Sequence, residues 1–329
     1  MGLERRLPGS PPGQAVEARP VDRPVAAGGR RPRAASVPGL RALWRARWPL
    51  LFVSPFFLLF AAFAVYPILS SLWLSLHEWR GLGPMRRIGL ANYDLLLGDG
   101  IFWGTMLNAA ILFVLYVPLM TVLAVVLAAV LNAGFLRLQG LWRALIFLPH
   151  ITSMVAAGYT FRLLLDTHSG AVNTALGRVG LGPVAWLDDR WWARVSVGLL
   201  MIWAWLGYNT VIMLAGLQTV PPELAEAARV DGAGRVEVFR RITVPLLRPV
   251  IVFSVTLSVI GTFQMYTEPL ILTGGGPFRA TRTPVMEIFA TTFENLKFGY
   301  AAAMSYVYFA VIVVVTLLQF RFVNRGEGA

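Results

Sequence analysis

The chain has 329 residues, of which 57% are hydrophobic and 14% are charged, and its formal net charge is +12. A soluble domain carries about 25% charged residues, so this chain has too little charge to cover a water-facing surface, and its apolar excess must face lipid. The excess of arginine fits the cytoplasmic loops of a membrane protein better than it fits nucleic-acid binding. Because the chain has no cysteine, disulfides, thiolate metal sites and cysteine nucleophiles are excluded.

Lysine is almost absent from the chain. The only lysine is Lys297, and no Gly-Lys-Ser/Thr tripeptide occurs, although a phosphate-binding P-loop needs one. If ATP drives this protein, another chain hydrolyses it, and we predict no cofactor in this chain. No spacing typical of a metal site or of a nucleophile–base set is present either, so the chain is not predicted to be an enzyme.

Residues 1–46 differ from the rest of the chain. They are rich in proline, glycine and arginine and lack an apolar period, so we predict a disordered tail. Ten arginines precede Trp48, and such a tail suits the anionic headgroups of a cytoplasmic membrane surface. A solvated tail without a specific role is the alternative.

Six apolar stretches follow and define a predicted permease domain over residues 47–329, with a core at about 104–323. Each stretch is near the roughly 20 residues that a helix needs to cross a bilayer. The third is the weakest because it contains Pro149 and His150. The predicted spans are Trp48–Leu76, Thr105–Asn132, Leu141–Leu165, Val195–Leu217, Pro249–Thr273 and Gly299–Val323.

The distribution of positive charge predicts the orientation in the membrane. With the N terminus inside, 19 of the 29 arginine and lysine residues fall on the inner side and 10 on the outer side. Positive residues collect in cytoplasmic loops. Both termini are therefore predicted to be cytoplasmic.

The stretch 218–248, between the fourth and fifth spans, has the pattern of two short helices with a break. Pro221-Pro222 stands at a predicted helix start, where a missing N–H costs little, and Gly232 favours a helix end. Pro245 is expected to stop the second helix before the next span. We therefore predict an amphipathic elbow on the cytoplasmic side.

The spacing within this elbow is specific. Glu-Ala-Ala at 226–228, followed by Gly232, Ile242 and Pro245 at matched distances, resembles the EAA loop of ABC importer permeases. In that family the loop inserts into a cleft of the cytoplasmic ATPase and transmits its closure. The resemblance implies this coupling role for Glu226, Ala227, Ala228, Asp231, Gly232, Phe239, Ile242 and Pro245.

A second block narrows the resemblance. Leu-Thr-Gly-Gly-Gly-Pro at 272–277 and Gly-Tyr-Ala-Ala-Ala at 299–303 are similar to carbohydrate-uptake permeases, specifically to the maltose- and glycerol-3-phosphate-type first permease subunit. Physically, the glycine–proline run indicates only a helix exit and a turn. The sugar is implied by the resemblance, which covers about residues 50–323.

This family has the type I (MetI-like) permease fold, so the resemblance implies an all-α integral membrane protein with six transmembrane helices. It places the chain in the cytoplasmic (inner) membrane of a bacterium or archaeon and implies alternating access. The implied partners are membrane lipid, a second homologous permease subunit, an extracytoplasmic solute-binding protein and two cytoplasmic ATPase subunits that bind ATP and magnesium. No nucleic acid is expected.

Polar groups within the spans suggest where a solute passes, because such groups are costly in a membrane. Aromatic faces beside amides and hydroxyls suit a neutral polyol, although interhelical hydrogen bonds explain the same groups. Glu268, four residues after Gln264, is expected to reach the headgroups at the outer end of the fifth span. The predicted pathway residues are Trp205, Tyr208, Asn209, Ser258, Thr262 and Gln264.

The alternative function is a secondary transporter or channel for a small polar solute that acts without an ATPase. That class predicts inverted repeats and paired intramembrane carboxylates. The predicted spans contain only one carboxylate of this kind, Glu268, which favours the importer.

Overall fold

The structure is a computed structural model that describes residues 47–133 and 137–324, so the predicted tail at 1–46 lies outside the described residues. The chain divides into two units, Met1–Phe60 and Ala61–Ala329. In the first unit the structure describes helix α1 (Arg47–Phe60), in which the rings of Phe56 and Phe60 stack with centroids 6.1 Å apart.

The described part of the second unit is helical apart from one short antiparallel hairpin. Its first half contains a π-helix at Ala61–Val65, α2 (Tyr66–Ser75), β1 (His77–Glu78), β2 (Arg86–Arg87), α3 (Ala91–Leu97), α4 (Gly100–Asn132), α5 (Gln139–Ile151) and α6 (Met154–Leu164). Its second half contains α7 (Ala171–Arg178), α8 (Arg190–Leu217), α9 (Pro222–Val230), α10 (Arg235–Val238), a π-helix at Phe239–Thr243, α11 (Val244–Phe263), α12 (Thr267–Thr273), α13 (Pro284–Phe289), a π-helix at Ala290–Glu294 and α14 (Phe298–Asn324).

Most of the predicted spans are confirmed as long apolar helices. A bent helix pair, α5 with α6, supplies a further candidate span. These segments confirm the all-α, multi-pass architecture. The continuous candidates are Leu51–Ser75, Gly100–Asn132, Arg190–Leu217, Arg235–Phe263 and Phe298–Gln319.

The third predicted span is not one helix. Helices α5 and α6 meet at an angle of 90°; between them Thr152 has extended backbone and Ser153 is not helical. Pro149 contributes to the break because it has no N–H for the last turn of α5. The prediction of a single helix over Leu141–Leu165 is therefore wrong.

Both ends of the predicted fifth span also differ from the structure. Helix α11 ends at Phe263 and the separate helix α12 begins at Thr267, so Gln264 and Glu268 do not share one helix face. Pro269 lies in the first turn of α12, where its missing N–H costs little, whereas a continuous α11 would lose an interior hydrogen bond there.

The expectation that Pro245 stops the second helix of the elbow is wrong as well. The chain is helical from Arg235 to Phe263, and the π-helix at Phe239–Thr243 ends two residues before Pro245. The wider turn of a π-helix gives room at the position where a proline ring clashes with an α-helical carbonyl. The elbow is therefore continuous with the span.

Helix α4 lies at the centre of the apolar core. Its first, middle and last thirds contribute Phe102, Tyr116 and Ala128 to three different buried clusters. Helix α8 packs along α4 in the clusters of Tyr116 and Ala128. Helices α11 and α14 pack against α4 in the cluster of Phe102. The N-terminal amides of α4 are capped by the Asp99 carboxylate, at 2.9 Å from the nitrogen of Ile101.

One glycine sets how closely α5 approaches α8. A Cβ at Gly207 would lie 1.9 Å from the carbonyl oxygen of Ile146, so the two backbones touch at this point. Small residues allow such close approaches between membrane helices.

We expect Gly207→Ala to destabilise the protein by about 1–3 kcal/mol, because the added methyl forces α5 away from α8. The measurement is the thermal midpoint of the purified protein in detergent. Gly140→Ala, on α5 where an added Cβ meets nothing within 4 Å, is the matched control. Equal midpoints for the two variants would contradict the close contact.

Candidate transport cavity and coupling elbow

Local sequence determines where helix α9 of the elbow begins and ends. Pro221 and Pro222 stand at its start. At its end, the nitrogen of Ala233 donates to the carbonyl of Ala228 at 2.9 Å, and the nitrogen of Gly232 donates to that of Arg229 at 3.1 Å. This pair of bonds is a Schellman motif, which needs a left-handed residue between helix and loop. Gly232 supplies it with φ = +90°.

The eight predicted coupling residues fall into two sets by exposure: an outer set on the exposed side of the elbow and an inner set on its half-buried side. The outer set is exposed and comprises Glu226, Ala227, Asp231, Gly232 and Pro245. The inner set is half-buried and comprises Ala228, Phe239 and Ile242.

The outer surface of the elbow also carries apolar side chains. Val230 and Val236 are 87% and 71% exposed, and Leu224 is exposed on the same helix as Val230. Phe239, in contrast, packs against the core cluster formed by α4, α8 and α11. The elbow therefore has an apolar outer surface and an anchored inner side.

A cavity of about 410 Å³ lies between α4, α8 and α11. Five of the six predicted pathway residues line it: Trp205, Tyr208, Asn209, Ser258 and Gln264. The three residues of α8, Ser258 of α11 and Gln264 just after α11 thus converge on one space.

Thr262, the sixth predicted residue, does not line this cavity. Its side chain is fully buried, and its hydroxyl donates to the carbonyl of Ser258 and accepts from the Tyr116 hydroxyl, each at 2.6 Å. A threonine at this position holds α11 to α4. The tyrosine that it binds lines the cavity instead.

Buried hydrogen bonds hold the cavity wall in place. The Asn209 amide nitrogen donates to the carbonyl of Trp205 at 3.0 Å, and its amide oxygen accepts from the Ser254 hydroxyl. The indole N–H of Trp205 is buried and has no hydrogen-bond partner among the described residues. An unpaired buried donor is costly; because this nitrogen is buried, Trp205 lines the cavity through its ring.

Two further groups at the cavity were not predicted from the sequence. The ring of His150 stacks on that of Tyr208, with centroids 4.8 Å apart, and lies 4.7 Å from that of Trp205. Glu268 lines the cavity, although it was expected to reach the headgroups. His150 comes from α5, so no spacing within one helix relates it to Tyr208.

Chemically, the cavity combines aromatic faces with hydrogen-bonding groups. Trp205 and Tyr208 offer flat apolar surfaces, while Gln264, Ser258 and Glu268 offer donors and acceptors. Solutes that carry several hydroxyls on an apolar ring match this mixture.

We expect Thr262→Val to destabilise the protein by about 1–3 kcal/mol, because it leaves the Tyr116 hydroxyl without its partner inside the bundle. Thr262→Ser keeps the hydroxyl and is expected to lose much less. Thermal unfolding of both variants in detergent measures the difference. If valine proves as stable as serine, the bond between α4 and α11 does not contribute.

Comparison with known proteins identifies the family to which the chain belongs. The model of the family described as "Binding-protein-dependent transport system inner membrane component" matches residues 107–326. The chain is 40% identical over 275 residues to the lactose transport system permease protein LacF of Rhizobium radiobacter, covering 82% of this chain and 92% of that protein.

Two further similarities extend over nearly the whole chain. The arabinooligosaccharides transport system permease protein AraP of Bacillus subtilis (strain 168) is 32% identical, covering 90% of this chain and 96% of that protein. The crystal structure of a bacterial alginate ABC transporter in complex with a periplasmic protein contains a chain with the same fold, at a TM-score of 0.76 and 20% identity. The match covers 88% of this chain and 98% of that one. The chain therefore belongs to the family of binding-protein-dependent transport system inner membrane components, the multi-pass permease subunits of ABC importers.

Proposed function

We propose that this permease conducts a sugar or oligosaccharide through the cavity between α4, α8 and α11. The observation that carries the proposal is the pairing of the Trp205 and Tyr208 rings with polar groups in one space of about 410 Å³. Pockets for small ligands have volumes of about 300–1,000 Å³. The relatives named for lactose and for arabinooligosaccharides support the same class of solute.

The Glu268 carboxylate is the strongest acceptor in the cavity wall. It has no ion-pair partner within 47–133 and 137–324; its oxygens interact with the backbone amides of Tyr266 and Glu268 and keep further lone pairs for the hydroxyls of a sugar. Trp205 offers the sugar the apolar face of its ring, since its indole nitrogen is buried. We assign these two residues to solute binding, together with Tyr208, Asn209, Ser258 and Gln264.

The elbow is proposed to face the cytoplasm, in agreement with the 19 to 10 distribution of positive residues. Two ATPase subunits are proposed to bind ATP and magnesium, because this chain has no P-loop lysine. The apolar outer surface, with Val230 and Val236, is the surface that an ATPase cleft would bury. A second permease subunit and a solute-binding protein complete the importer.

Transport in this proposal follows alternating access. ATP-driven closure of the ATPases moves the elbow, and the movement passes into α11 because the chain is helical from Arg235 to Phe263. Helix α11 forms one wall of the cavity through Ser258 and Gly261. Nucleotide and loaded binding protein shift the two states only through their different affinities for them.

We expect Gly232→Ala to reduce ATP-coupled uptake at least about tenfold, because an alanine at φ = +90° is strained and the Schellman cap is lost. Uptake and ATPase activity of the reconstituted complex are the measurements. Gly234→Ala is the matched control: an added Cβ meets nothing within 4 Å at either glycine, but Gly234 has φ = −71°. Equal coupled uptake by the two variants would contradict the coupling role of the elbow.

We expect Tyr208→Leu to lower solute uptake at least about fivefold, because it removes an aromatic face from the cavity wall. ATPase stimulation by the loaded binding protein is expected to persist, since the elbow is unchanged. Tyr159→Leu replaces an exposed tyrosine on α6 outside the cavity and serves as control. Wild-type uptake by Tyr208→Leu would argue against a solute site at this cavity.

A further inference from the structure

A second cavity, of about 450 Å³, is lined by three arginines. Arg190 and Arg194 lie at the start of α8, and Arg279 lies in the loop after the Gly-Gly-Gly-Pro run. The start of α4 forms the remaining wall, and no acidic residue is among the side chains that line the cavity. We call it the arginine cavity.

Hydrogen bonds fix its deepest part. Arg194 is only 6% exposed; its Nε donates to the carbonyl of Ala280 at 3.0 Å and its Nη2 to the Asn108 amide oxygen at 2.8 Å. The Asn108 amide nitrogen in turn donates to the carbonyls of Arg279 and Arg282 at 2.7 and 3.1 Å. The loop that carries Arg279 is therefore tied to both helices.

The backbone of this loop is strained at the mouth of the cavity. Phe278 and Arg279 have φ = 49° and 60°, in the left-handed region that side chains other than glycine rarely adopt. Strain of this kind persists only where the surroundings impose it, and it collects at ligand-binding positions. The three hydrogen bonds that Asn108 and Arg194 donate to the loop supply that constraint.

The charge of the cavity is not neutralised within the described residues. Neither of the two ion pairs found there, Glu237–Arg241 and Arg282–Glu287, includes a lining arginine. Asp99 acts electrostatically on Arg279 but accepts hydrogen bonds from the Tyr300 hydroxyl and from the amides of Ile101 and Phe102. Asp189, beside Arg190, likewise caps α8.

Arg194 retains donors that its protein partners do not use. The structure gives its Nη1 no hydrogen-bond partner, and this atom is not among the buried unpaired atoms of the described residues. The side chain lines the cavity, and its guanidinium carbon lies 4.8 Å from the centroid of the Trp191 ring. A guanidinium has five N–H donors in a planar fork, which suits the oxygens of a phosphate or carboxylate.

The length and lining of the cavity favour a lipid headgroup over a free anion. Its α4 wall extends from Gly100 to Ile111, about 16 Å along the helix, and includes the apolar side chains of Ile101, Leu107 and Ile111. A wall that combines arginines with apolar side chains matches the headgroup and upper acyl chain of a lipid. A free anion would contact only the arginines.

Aromatic residues place the arginine cavity at headgroup level. Trp103 of α4 and Trp191 and Trp192 of α8 are exposed at the same helix ends. Tryptophan collects at the boundary between hydrocarbon and headgroups. The phosphate of a lipid would therefore lie at the height of Arg190 and Arg194.

We propose that the arginine cavity binds the phosphodiester of an anionic phospholipid, with Arg190, Arg194 Nη1 and Arg279 as its donors. Anionic headgroups are favoured over phosphatidylethanolamine because the cavity wall has no carboxylate to accept an ammonium group. The site lies at the opposite end of α8 from the elbow, which follows Leu217. It does not depend on the identity of the transported solute.

The test uses the complete importer in nanodiscs of phosphatidylcholine to which phosphatidylglycerol is added in increasing fractions. Native mass spectrometry counts the phosphatidylglycerol molecules that remain bound to the chain. We expect Arg190→Gln and Arg279→Gln each to lower this retention about fivefold. Both side chains are exposed, so both variants are expected to keep the wild-type thermal midpoint in pure phosphatidylcholine, while the buried Arg194 stays intact.

Arg178→Gln is the matched control, since Arg178 is an exposed arginine at the end of α7 and does not line the cavity. Its retention is expected to equal that of the wild type, and any loss as large as in the cavity variants would overturn the site. Unchanged retention in both cavity variants would also overturn it.

Two further measurements distinguish a lipid headgroup from a free anion and from the solute-binding protein. If millimolar inorganic phosphate in phosphatidylcholine nanodiscs raises the thermal midpoint as much as phosphatidylglycerol does, the cavity takes a free anion and the lipid proposal fails. If the cavity variants weaken binding of the solute-binding protein in pure phosphatidylcholine and leave lipid retention unchanged, the arginines serve that protein instead. The proposal is supported if phosphatidylglycerol raises the thermal midpoint and phosphate does not, and if this rise is lost in Arg190→Gln and Arg279→Gln but kept in Arg178→Gln.

Discussion

The pairing of α4 with α8 is the contact on which the rest of the structure depends. A Cβ added at Gly198 would lie 3.4 Å from that of Tyr116, and the Asn209 amide reaches the Met120 sulfur at 3.6 Å. Both cavities are built on this pair, one midway along it and one at its N-terminal ends. Lipid offers no apolar driving force between helices, so such close packing and the hydrogen bonds between neighbours hold the bundle together.

Hydropathy predicted the spans because the bilayer imposes their length on any sequence. The elbow was predictable for a different reason: Pro222 and Gly232 act through their own backbone geometry, whatever surrounds them. The helix breaks after Ile151 and Phe263, in contrast, depend on the surroundings of the chain. Within a membrane, a helix can continue through or break near a proline, and the choice depends on whether neighbouring helices satisfy the freed backbone groups.

The same distinction between local and long-range causes applies to the residues of the candidate site. Trp205, Tyr208 and Asn209 were predictable because they share one face of a single helix. His150 was not, because α5 reaches Tyr208 only through the close approach at Gly207. Thr262 was assigned to the wrong role because sequence periodicity gives the face of a helix but not the partner that occupies it. Tyr116, far away in the sequence, takes up its hydroxyl.

The uninterrupted helix from Arg235 to Phe263 has a mechanical consequence. With 29 residues it is about 44 Å long, longer than the roughly 30 Å of hydrocarbon that it crosses. It is therefore one rod that joins the elbow to the cavity wall at Ser258 and Gly261. A tilt of about 5° about its midpoint displaces each tip by about 2 Å for a rod of this length. Because Thr262 in the last turn is bonded to Tyr116, the tip cannot swing without breaking that bond or carrying α4 with it.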